Sequence, residues 1–284
     1  MPKLGIGISV FEGVSSQSSG PTYDAVTLAW KSAVEAAGGS VVNSINAVDA
    51  YVKGCKTDGI WAKLSSGLII PAATDTFVGC FIPLVAPSGV IPVNNNFVAS
   101  DYSLSTGFNP GVSNTTKSIS TGFIPSSHLA SDNSAQQSFY SRTNSKSSGY
   151  PGTMNVSAGT GKWLFCLNST DNSSYFDCWD SGGSGRIISS IPNTLGLISS
   201  SRIAANDLRV YRNGSQVGST GTGTIVSTRA TGQVLVFAPG ASDANVYENR
   251  ICSYIYIGSG LTSSEEAFHY SRVQTMQTTL GRNV

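Results

Sequence analysis

The sequence has little charge for its length. Asp, Glu, Lys and Arg make up 12% of the 284 residues, and the net charge is +1. An ordinary soluble domain has about 25% charged residues, whereas a nucleic-acid-binding domain clusters an excess of basic ones. We therefore expect no nucleic-acid partner. No apolar run approaches the roughly 18 residues that a membrane span needs, so we expect no membrane partner either.

Side chains that commonly carry catalysis are also scarce. The chain has two histidines, His128 and His269, and Glu248 is the only glutamate among the strand-like segments. Glycosidases need two placed carboxylates. Residues 182–186 depart from the Gly-x-Ser-x-Gly elbow of serine hydrolases at its last position. The sequence therefore predicts a protein that is not an enzyme.

The five cysteines contain no Cys-x-x-Cys pair, so we expect no metal site of the zinc type. Cys166 and Cys178 flank a polar loop centred on Asn172. In a hairpin symmetric about Asn172, the two cysteines would face each other across the strands. Two alternatives stay open: a pair of buried thiols, or a Cys166–Cys178 disulfide.

The beginning of the chain predicts an extended anchoring arm over residues 1–21. Apolar residues alternate with small ones between positions 4 and 10, which is typical of a strand, and residues 15–21 form a Ser/Gly-rich tether. Such a strand has no partner nearby in the sequence. We expect the arm to dock on another subunit or another protein.

Residues 22–90 have the apolar periodicity of short amphipathic helices, which predicts a small helical domain. Four segments are expected: one from an N-cap at Thr22 to Gly38, one from Asn43 to Gly54, one with Trp61 and Leu64 behind an Asp58 cap, and one with Phe77, Val78, Phe81 and Ile82 behind Thr74 or Asp75.

From about residue 95 the period changes to that of strands separated by Gly, Asn and Ser turns. Asn213-Gly214 is a strong signal for a two-residue hairpin. Ser263 and Glu266 have the spacing of a capping box, which begins a final helix. The fold class predicted is α+β and multidomain: the helical bundle, then an antiparallel β-sandwich over residues 95–284 with a C-terminal helix.

A binding role is suggested by aromatic and polar side chains around one loop. Trp163, Tyr175 and Trp179 have flat rings that stack on sugars, and Asp171 and Asn172 offer polar groups to hydroxyls. We expect no cofactor, and the one alternative is Ca²⁺, for which the same oxygens are ligands. The alternatives are that these rings point inward as core and that the polar residues only form the turn.

Two parts of the chain resemble known families. Residues 30–41 and 54–64, with the Thr-Gly-Phe-Asn-Pro stretch at 106–110, resemble a helical segment of tailed-bacteriophage structural proteins, although residues 71–75 depart from it. Residues 210–215 and 257–262, with the helix that follows, are similar to concanavalin-A-like (laminin-G-like) jelly rolls. The resemblance implies a virion protein with a lectin-like sandwich on the particle surface. It carries over no sugar-binding residue.

We therefore expect a structural component of a phage virion, located in the particle as a capsid decoration or head fibre. Its arm and helices would contact other capsid or tail proteins, and a homo-oligomer such as a trimer would bury the apolar faces of the helices. The alternative is a tail-associated carbohydrate-binding module that attaches to a bacterial surface glycan.

Overall fold

The computed structural model describes residues 22–156, 161–179, 185–223, 228–240 and 244–284. The predicted arm, residues 1–21, lies outside these ranges. The helices are α1 (Ala25–Ala36), α2 (Ile45–Thr57), α3 (Trp61–Leu64), α4 (Pro125–His128) and α5 (Ser263–Thr279). The strands are β1 (Leu68–Ile70), β2 (Val93–Asn95), β3 (Tyr102–Ser103), β4 (Gly107–Phe108), β5 (Ser118–Ser120), β6 (Ala135–Ser141), β7 (Met154–Val156), β8 (Trp163–Cys166), β9 (Ser174–Cys178), β10 (Ile187–Ser189), β11 (Gly196–Ala204), β12 (Asp207–Arg212), β13 (Ser215–Gly221), β14 (Val234–Val236) and β15 (Cys252–Gly258).

Two antiparallel sheets form a β-sandwich, which confirms the predicted fold class. Sheet A has the strand order β13-β12-β11-β6-β15-β4-β3, and β1 also pairs with β15. Sheet B has the order β10-β9-β8-β7-β14-β5-β2. Alternate residues of each strand point between the sheets, where Phe108, Phe139, Phe165, Phe176 and Phe237 are fully buried in one cluster. Burial of these rings stabilises the contact between the two sheets.

The helices cover the outer face of sheet A and share a second core with it. Trp30 of α1 and Tyr51 of α2 are buried in one cluster with Tyr140 of β6, Tyr254 of β15 and Met276 of α5. The hydroxyl groups of Tyr51 and Tyr254 are hydrogen-bonded at 2.7 Å. Strand β1, inside the segment predicted as a helical domain, pairs with β15. Residues 22–90 therefore contribute a strand to the sandwich as well as helices.

Three local helix predictions differ from the structure. The N-cap of α1 is Asp24 rather than Thr22, since the Asp24 carboxylate accepts a hydrogen bond from the Val26 amide. Helix α2 continues through Gly54, which lets another helix approach: a Cβ there would lie 2.5 Å from Cδ of Arg272. The predicted fourth helix is only a 3-10 turn (Phe77–Gly79), because its phenylalanines pack against the sandwich core instead of forming a helical stripe.

The Asn213-Gly214 hairpin is confirmed, with both residues at positive φ between β12 and β13. The capping box of α5 lies one residue earlier than predicted: Thr262 is the N-cap, and Glu265 completes the box. Glu266 therefore takes no part in capping the helix, and its side chain is fully buried. Of the helices in the described ranges, none combines the length and the apolar character needed to cross a lipid bilayer.

Glu266 is fully buried between α5 and sheet A. Its carboxylate lies 3.9 Å from Nδ1 of His269. Ser199 of β11 and the buried rings of Tyr211 and Tyr256 lie nearby. Burial raises the pKa of the Glu266 carboxyl group, and the interaction with His269 offsets this only in part. The charged form is therefore costly in this position.

Replacing Glu266 with glutamine is expected to stabilise the protein more at alkaline than at acidic pH. The native carboxyl group keeps its proton to a higher pH than in the unfolded chain, so its contribution to the unfolding free energy is lost as the pH rises. The glutamine amide stays neutral. Urea denaturation of both proteins at about pH 5 and about pH 8 measures the difference.

Glu265→Gln is the matched control. Burial acts to raise the pKa of Glu265, but hydrogen bonds from Lys63 and Thr262 outweigh it, and the pKa is lowered. A lowered native pKa contributes stability above the unfolded value, so this neighbour should show the opposite sign. Equal pH profiles for the Glu266→Gln variant and the wild type would contradict the assignment.

Candidate ligand-binding site

The predicted tryptophans belong to the core and not to a surface site. Trp163 and Trp179 are 1% and 0% exposed, and their ring centroids lie 4.9 Å apart. Nε1 of Trp179 donates a hydrogen bond to the carbonyl oxygen of Asp132. Trp163 faces the sandwich interior because inward and outward positions alternate along β8. Neither ring offers a face to a sugar, which corrects their selection as candidate ligand-binding residues.

Of the other predicted residues, Asp171 and Asn172 lie in a tight polar turn between β8 and β9, whereas Tyr175 lies in β9 and is buried, at 8% exposed. The Asp171 carboxylate accepts hydrogen bonds from the hydroxyls of Ser169 and Tyr175 and from the Ser173 amide. The hydrogen bonds from Ser169 and then Tyr175 lower the Asp171 pKa to about 2. Asn172 is exposed at a φ of 65°. Asp171 thus holds the turn together, while Asn172 remains open to solvent.

This use of the Asp171 oxygens leaves a weak case for Ca²⁺, because a calcium ion takes six to eight oxygen ligands. Within the described ranges, no three His, Cys, Asp or Glu side chains are grouped as a metal site would require. The Ca²⁺ suggestion therefore gains no support from the side chains around Asp171.

Cys166 and Cys178 are both buried free thiols. In the observed register Cys166 is opposite Tyr175, and Cys178 is opposite Trp163. The hairpin is therefore not symmetric about Asn172, and the two thiols lie in separate clusters on opposite faces of sheet B. Burial raises the pKa of both thiols, to about 12 for Cys178. Of the two alternatives, the structure supports the buried thiols.

A cleft of about 410 Å³ opens where three loops meet. The loops follow β4, β6 and β14, and each crosses between sheet A and sheet B. The cleft therefore lies at one end of the sandwich. We call it the loop cleft; it is lined by Val112, Ser113, Asn114, Thr115, Ser147, Ser148, Asn245, Val246, Tyr247 and Asn249.

Asparagine side chains fix the shape of the loop cleft by bonding to the backbone of its walls. Asn114 Nδ2 donates to the carbonyl oxygens of Lys117 and Glu248, at 2.9 and 2.8 Å. Asn245 Oδ1 accepts from the Tyr150 amide. Asn249 Nδ2 donates to the Val112 carbonyl. These bonds tie the three loops to one another and leave the rim preformed.

Behind the loop cleft lies a fully buried ion pair. Nη1 of Arg250 donates to both carboxylate oxygens of Glu248 at 2.7 Å, and both side chains are 0% exposed. The Thr153 hydroxyl also donates to Glu248, and Nη2 of Arg250 donates to the Ser145 carbonyl. This pair connects the loop after β14 to the wall that carries Ser147 and Ser148.

The described lining residues of the loop cleft are all uncharged. Ser113, Thr115, Ser148 and Tyr247 bring hydroxyl groups to this lining. Val112 is 90% exposed and Val246 is half-buried, so apolar surface lies beside these hydroxyls. Such a mixture suits a ligand that has both hydroxyl groups and apolar CH faces.

The loop cleft was not predicted from the sequence. Its residues lie in three segments, at 112–115, 147–148 and 245–249, that are far apart in the chain. The predicted polar turn borders one wall, since the Ser147 amide donates to the Asn168 carbonyl and the Thr170 amide to the Gly149 carbonyl. The one available signal was Glu248, the isolated glutamate beside Arg250 in the strand-rich half.

No protein-family model matches the chain, and no curated protein matches it. Solved structures that are similar include domain 4 of AbnA, a GH43 extracellular arabinanase from Geobacillus stearothermophilus in complex with arabinotriose. That match has 14% identity and a TM-score of 0.44, covering 72% of this chain and 97% of that chain.

Two further similar structures are much longer than the part matched. The botulinum neurotoxin serotype D binding domain is 12% identical with a TM-score of 0.46, covering 74% of this chain and 51% of that one. Trypanosoma rangeli sialidase is 12% identical with a TM-score of 0.45, covering 81% and 39%. All these TM-scores are below 0.5, and the β-sandwich assignment follows from the strand pairing itself.

Proposed function

We propose that this protein binds a neutral glycan through the loop cleft and does not alter it chemically. The observation that carries the proposal is the composition of the loop cleft, in which uncharged hydroxyl and amide groups lie beside apolar side chains. Its volume of about 410 Å³ is in the range of small-ligand sites. A charged ligand would lose hydration there without meeting an opposite charge on the described lining residues.

The position of Glu248 supports a binding role over a hydrolytic one. Its carboxylate is buried and engaged by Thr153, by Arg250 and by the Asn249 amide. An acid or nucleophile in glycoside hydrolysis must reach the glycosidic bond, whereas this carboxylate is 0% exposed and Glu248 is not among the lining residues of the loop cleft. The proposed role is therefore lectin-like recognition.

Replacing Tyr247 with alanine is expected to weaken glycan binding by about tenfold, because Tyr247 is the aromatic lining residue of the loop cleft and alanine removes both its ring and its hydroxyl. Biolayer interferometry against immobilised dextran, arabinan, galactan and mannan gives the measurement. Tyr23→Ala, a partly buried tyrosine on the helical layer, is the matched control. Failure of all four polysaccharides to bind, or equal loss in both variants, would overturn the proposal.

A second proposal concerns where the sandwich is displayed. We propose a phage virion, with the helical layer and the arm attached to capsid or tail proteins and the glycan on the bacterial surface. The resemblance of residues 30–41 and 54–64 to tailed-phage structural proteins supports this. The helices cover sheet A, and the loop cleft lies at the end of the sandwich. The helical layer can therefore contact the particle while the loop cleft stays open to a glycan.

Immunogold electron microscopy of purified phage particles tests the location, with antibody raised against residues 95–284. Label over the head would support a decoration or head-fibre role, and label at the tail tip would support host adhesion. Particles that carry no label, although the protein is detected in the same lysate, would contradict the virion proposal.

A further inference from the structure

A second surface depression lies between the edge strands of the two sheets. It has a volume of about 490 Å³ and runs between β10, the end strand of sheet B, and β13, the end strand of sheet A. We call it the edge groove; it is lined by residues 186–190 and 218–221. Hydroxyl groups of Ser189, Ser190, Ser219 and Thr220 line it, together with Ile188, which is 60% exposed. Its hydroxyl and apolar groups are of the same kind as those of the loop cleft, and it has one charged lining residue, Arg186, in addition.

The edge groove and the loop cleft lie at the same end of sheet B. Ser189 pairs with Ser174, the first residue of β9. Strand β9 follows the polar turn that begins at Asn168. The Asn168 carbonyl oxygen accepts a hydrogen bond from the amide of Ser147, which lines the loop cleft. Nδ2 of Asn144, just before that wall, donates to the carbonyl of Pro192 just after β10. The protein surface is therefore continuous between the two depressions.

The surface between them carries a row of packed side chains. The Tyr150 ring packs edge-on against Tyr175, with centroids 5.4 Å apart. The Arg186 guanidinium lies 5.5 Å from the Tyr175 ring centroid and itself lines the edge groove. Asp171 and Asn172 are exposed beside this row. Tyr175 is 8% exposed and Tyr150 is partly buried, so the path combines a limited aromatic surface with exposed polar groups.

The separation exceeds what one sugar ring can cover. Strands β10, β9, β8 and β7 are consecutive neighbours in sheet B. Neighbouring strands are about 4.8 Å apart, so the path across them is roughly 14 Å long. Only a chain of several sugar units reaches from one depression to the other.

We propose that the loop cleft and the edge groove are the two ends of one binding track, and that the ligand is an internal stretch of a polymeric glycan. This inference rests on the proposed glycan-binding function and adds the class of ligand, a polysaccharide backbone instead of a terminal sugar. Asn172 and the Tyr150–Tyr175 row form the middle of the track. Binding at several connected subsites makes affinity depend on chain length.

The test measures affinity against chain length. Partial hydrolysis of dextran, arabinan, galactan and mannan gives ladders from disaccharides to decasaccharides, which are titrated by calorimetry. We expect affinity to rise by about tenfold or more between the short and the long members of at least one ladder. Ile188→Asp in the edge groove should weaken binding of the long members at least about fivefold and leave that of the disaccharide unchanged.

Controls separate this inference from the proposed function. Val42→Asp introduces the same change at another exposed apolar residue, 77% exposed on the helical layer, and should leave every titration unchanged. Glycan binding that requires Tyr247 but does not depend on glycan chain length or on Ile188 would contradict the binding track and leave the proposed function standing. Absence of binding to every ladder would overturn both.

Discussion

Replacing Arg282 with alanine is expected to lower the free energy of unfolding by about 4 kcal/mol. The Arg282 side chain is 0% exposed. Its guanidinium donates to the carbonyl oxygens of Pro71, Ala72, Leu104 and Ser253 and to Oε1 of Gln277. One side chain thus joins the end of α5 to β15 and to the segments after β1 and β3.

The cost follows from the groups that the substitution leaves behind. Four carbonyl oxygens would lose a buried donor, and each one left unsatisfied costs about 1–3 kcal/mol. The Ala72 carbonyl keeps a hydrogen bond from the Tyr102 hydroxyl and the Ser253 carbonyl keeps one from Nε2 of Gln277. Relaxation and entry of water recover part of this sum, which gives the lower total. Burial also lowers the pKa of Arg282 to about 10, because desolvation disfavours the charged guanidinium. The hydrogen bonds to the carbonyl oxygens offset this desolvation in the native protein.

Urea denaturation of Arg282→Ala, Arg282→Lys and Arg272→Ala measures the effect. The lysine ammonium has three donors without the planar fork, so Arg282→Lys should also be strongly destabilising. Arg272 pairs with Asp58 nearer the surface, with 34% of its side chain exposed, and its loss should cost about 1 kcal/mol or less. Equal effects at positions 282 and 272 would contradict the assigned role of the buried guanidinium.

The fold was predictable where local signals coincide with the final structure. The Asn213-Gly214 turn needs positive φ at both residues, and only a tight hairpin provides it. The strands were recognisable from their β-branched and aromatic runs. The fourth helix was predicted wrongly because Phe77 and Phe81 also suit a helical stripe. Whether such a ring lies on a helix face or in the sandwich core depends on residues far away in the chain. Phe81, for example, packs against Phe97 and Phe108.

The candidate site was less predictable for a related reason. Trp163 and Trp179 look like surface aromatics in the sequence, but strand alternation or close packing can place such rings on either side of a sheet. The turn around Asn172 was found, because Asn and Asp mark turns locally. The loop cleft depends on three loops that come together only when both sheets have formed. No local sequence pattern predicts that these loops are neighbours.

The buried pair of Glu248 and Arg250 leads to the second prediction with a large effect. Arg250→Met is expected to lower the free energy of unfolding by about 4 kcal/mol, because it leaves the Glu248 carboxylate buried without its partner. The fully buried carboxylate would then keep hydrogen bonds from Thr153 and from the amides of Asn249 and Arg250. These neutral donors compensate a buried charge only in part.

The double variant Glu248→Leu/Arg250→Met should be far less destabilised than the sum of the two single variants, because it removes both charges together. Hydrogen exchange adds a local reading: in Arg250→Met, amides in the loop-cleft segments 112–117, 145–150 and 244–249 should exchange faster, while those of β11 and β12 keep their relative protection. The faster exchange would show that the pair holds the loops in addition to stabilising the fold.

An exposed ion pair supplies the comparison. Lys31 and Glu35 pair on the surface of α1 with 37% and 45% of their side chains exposed, and Lys31→Met should cost about 0.5 kcal/mol or less. If Arg250→Met cost as little, or if the changes at positions 248 and 250 were additive, the ion pair would not be the tie between the loops. The preformed shape of the loop cleft would then depend on its asparagine-to-backbone hydrogen bonds alone, and Asn114→Ala would be the variant that opens it.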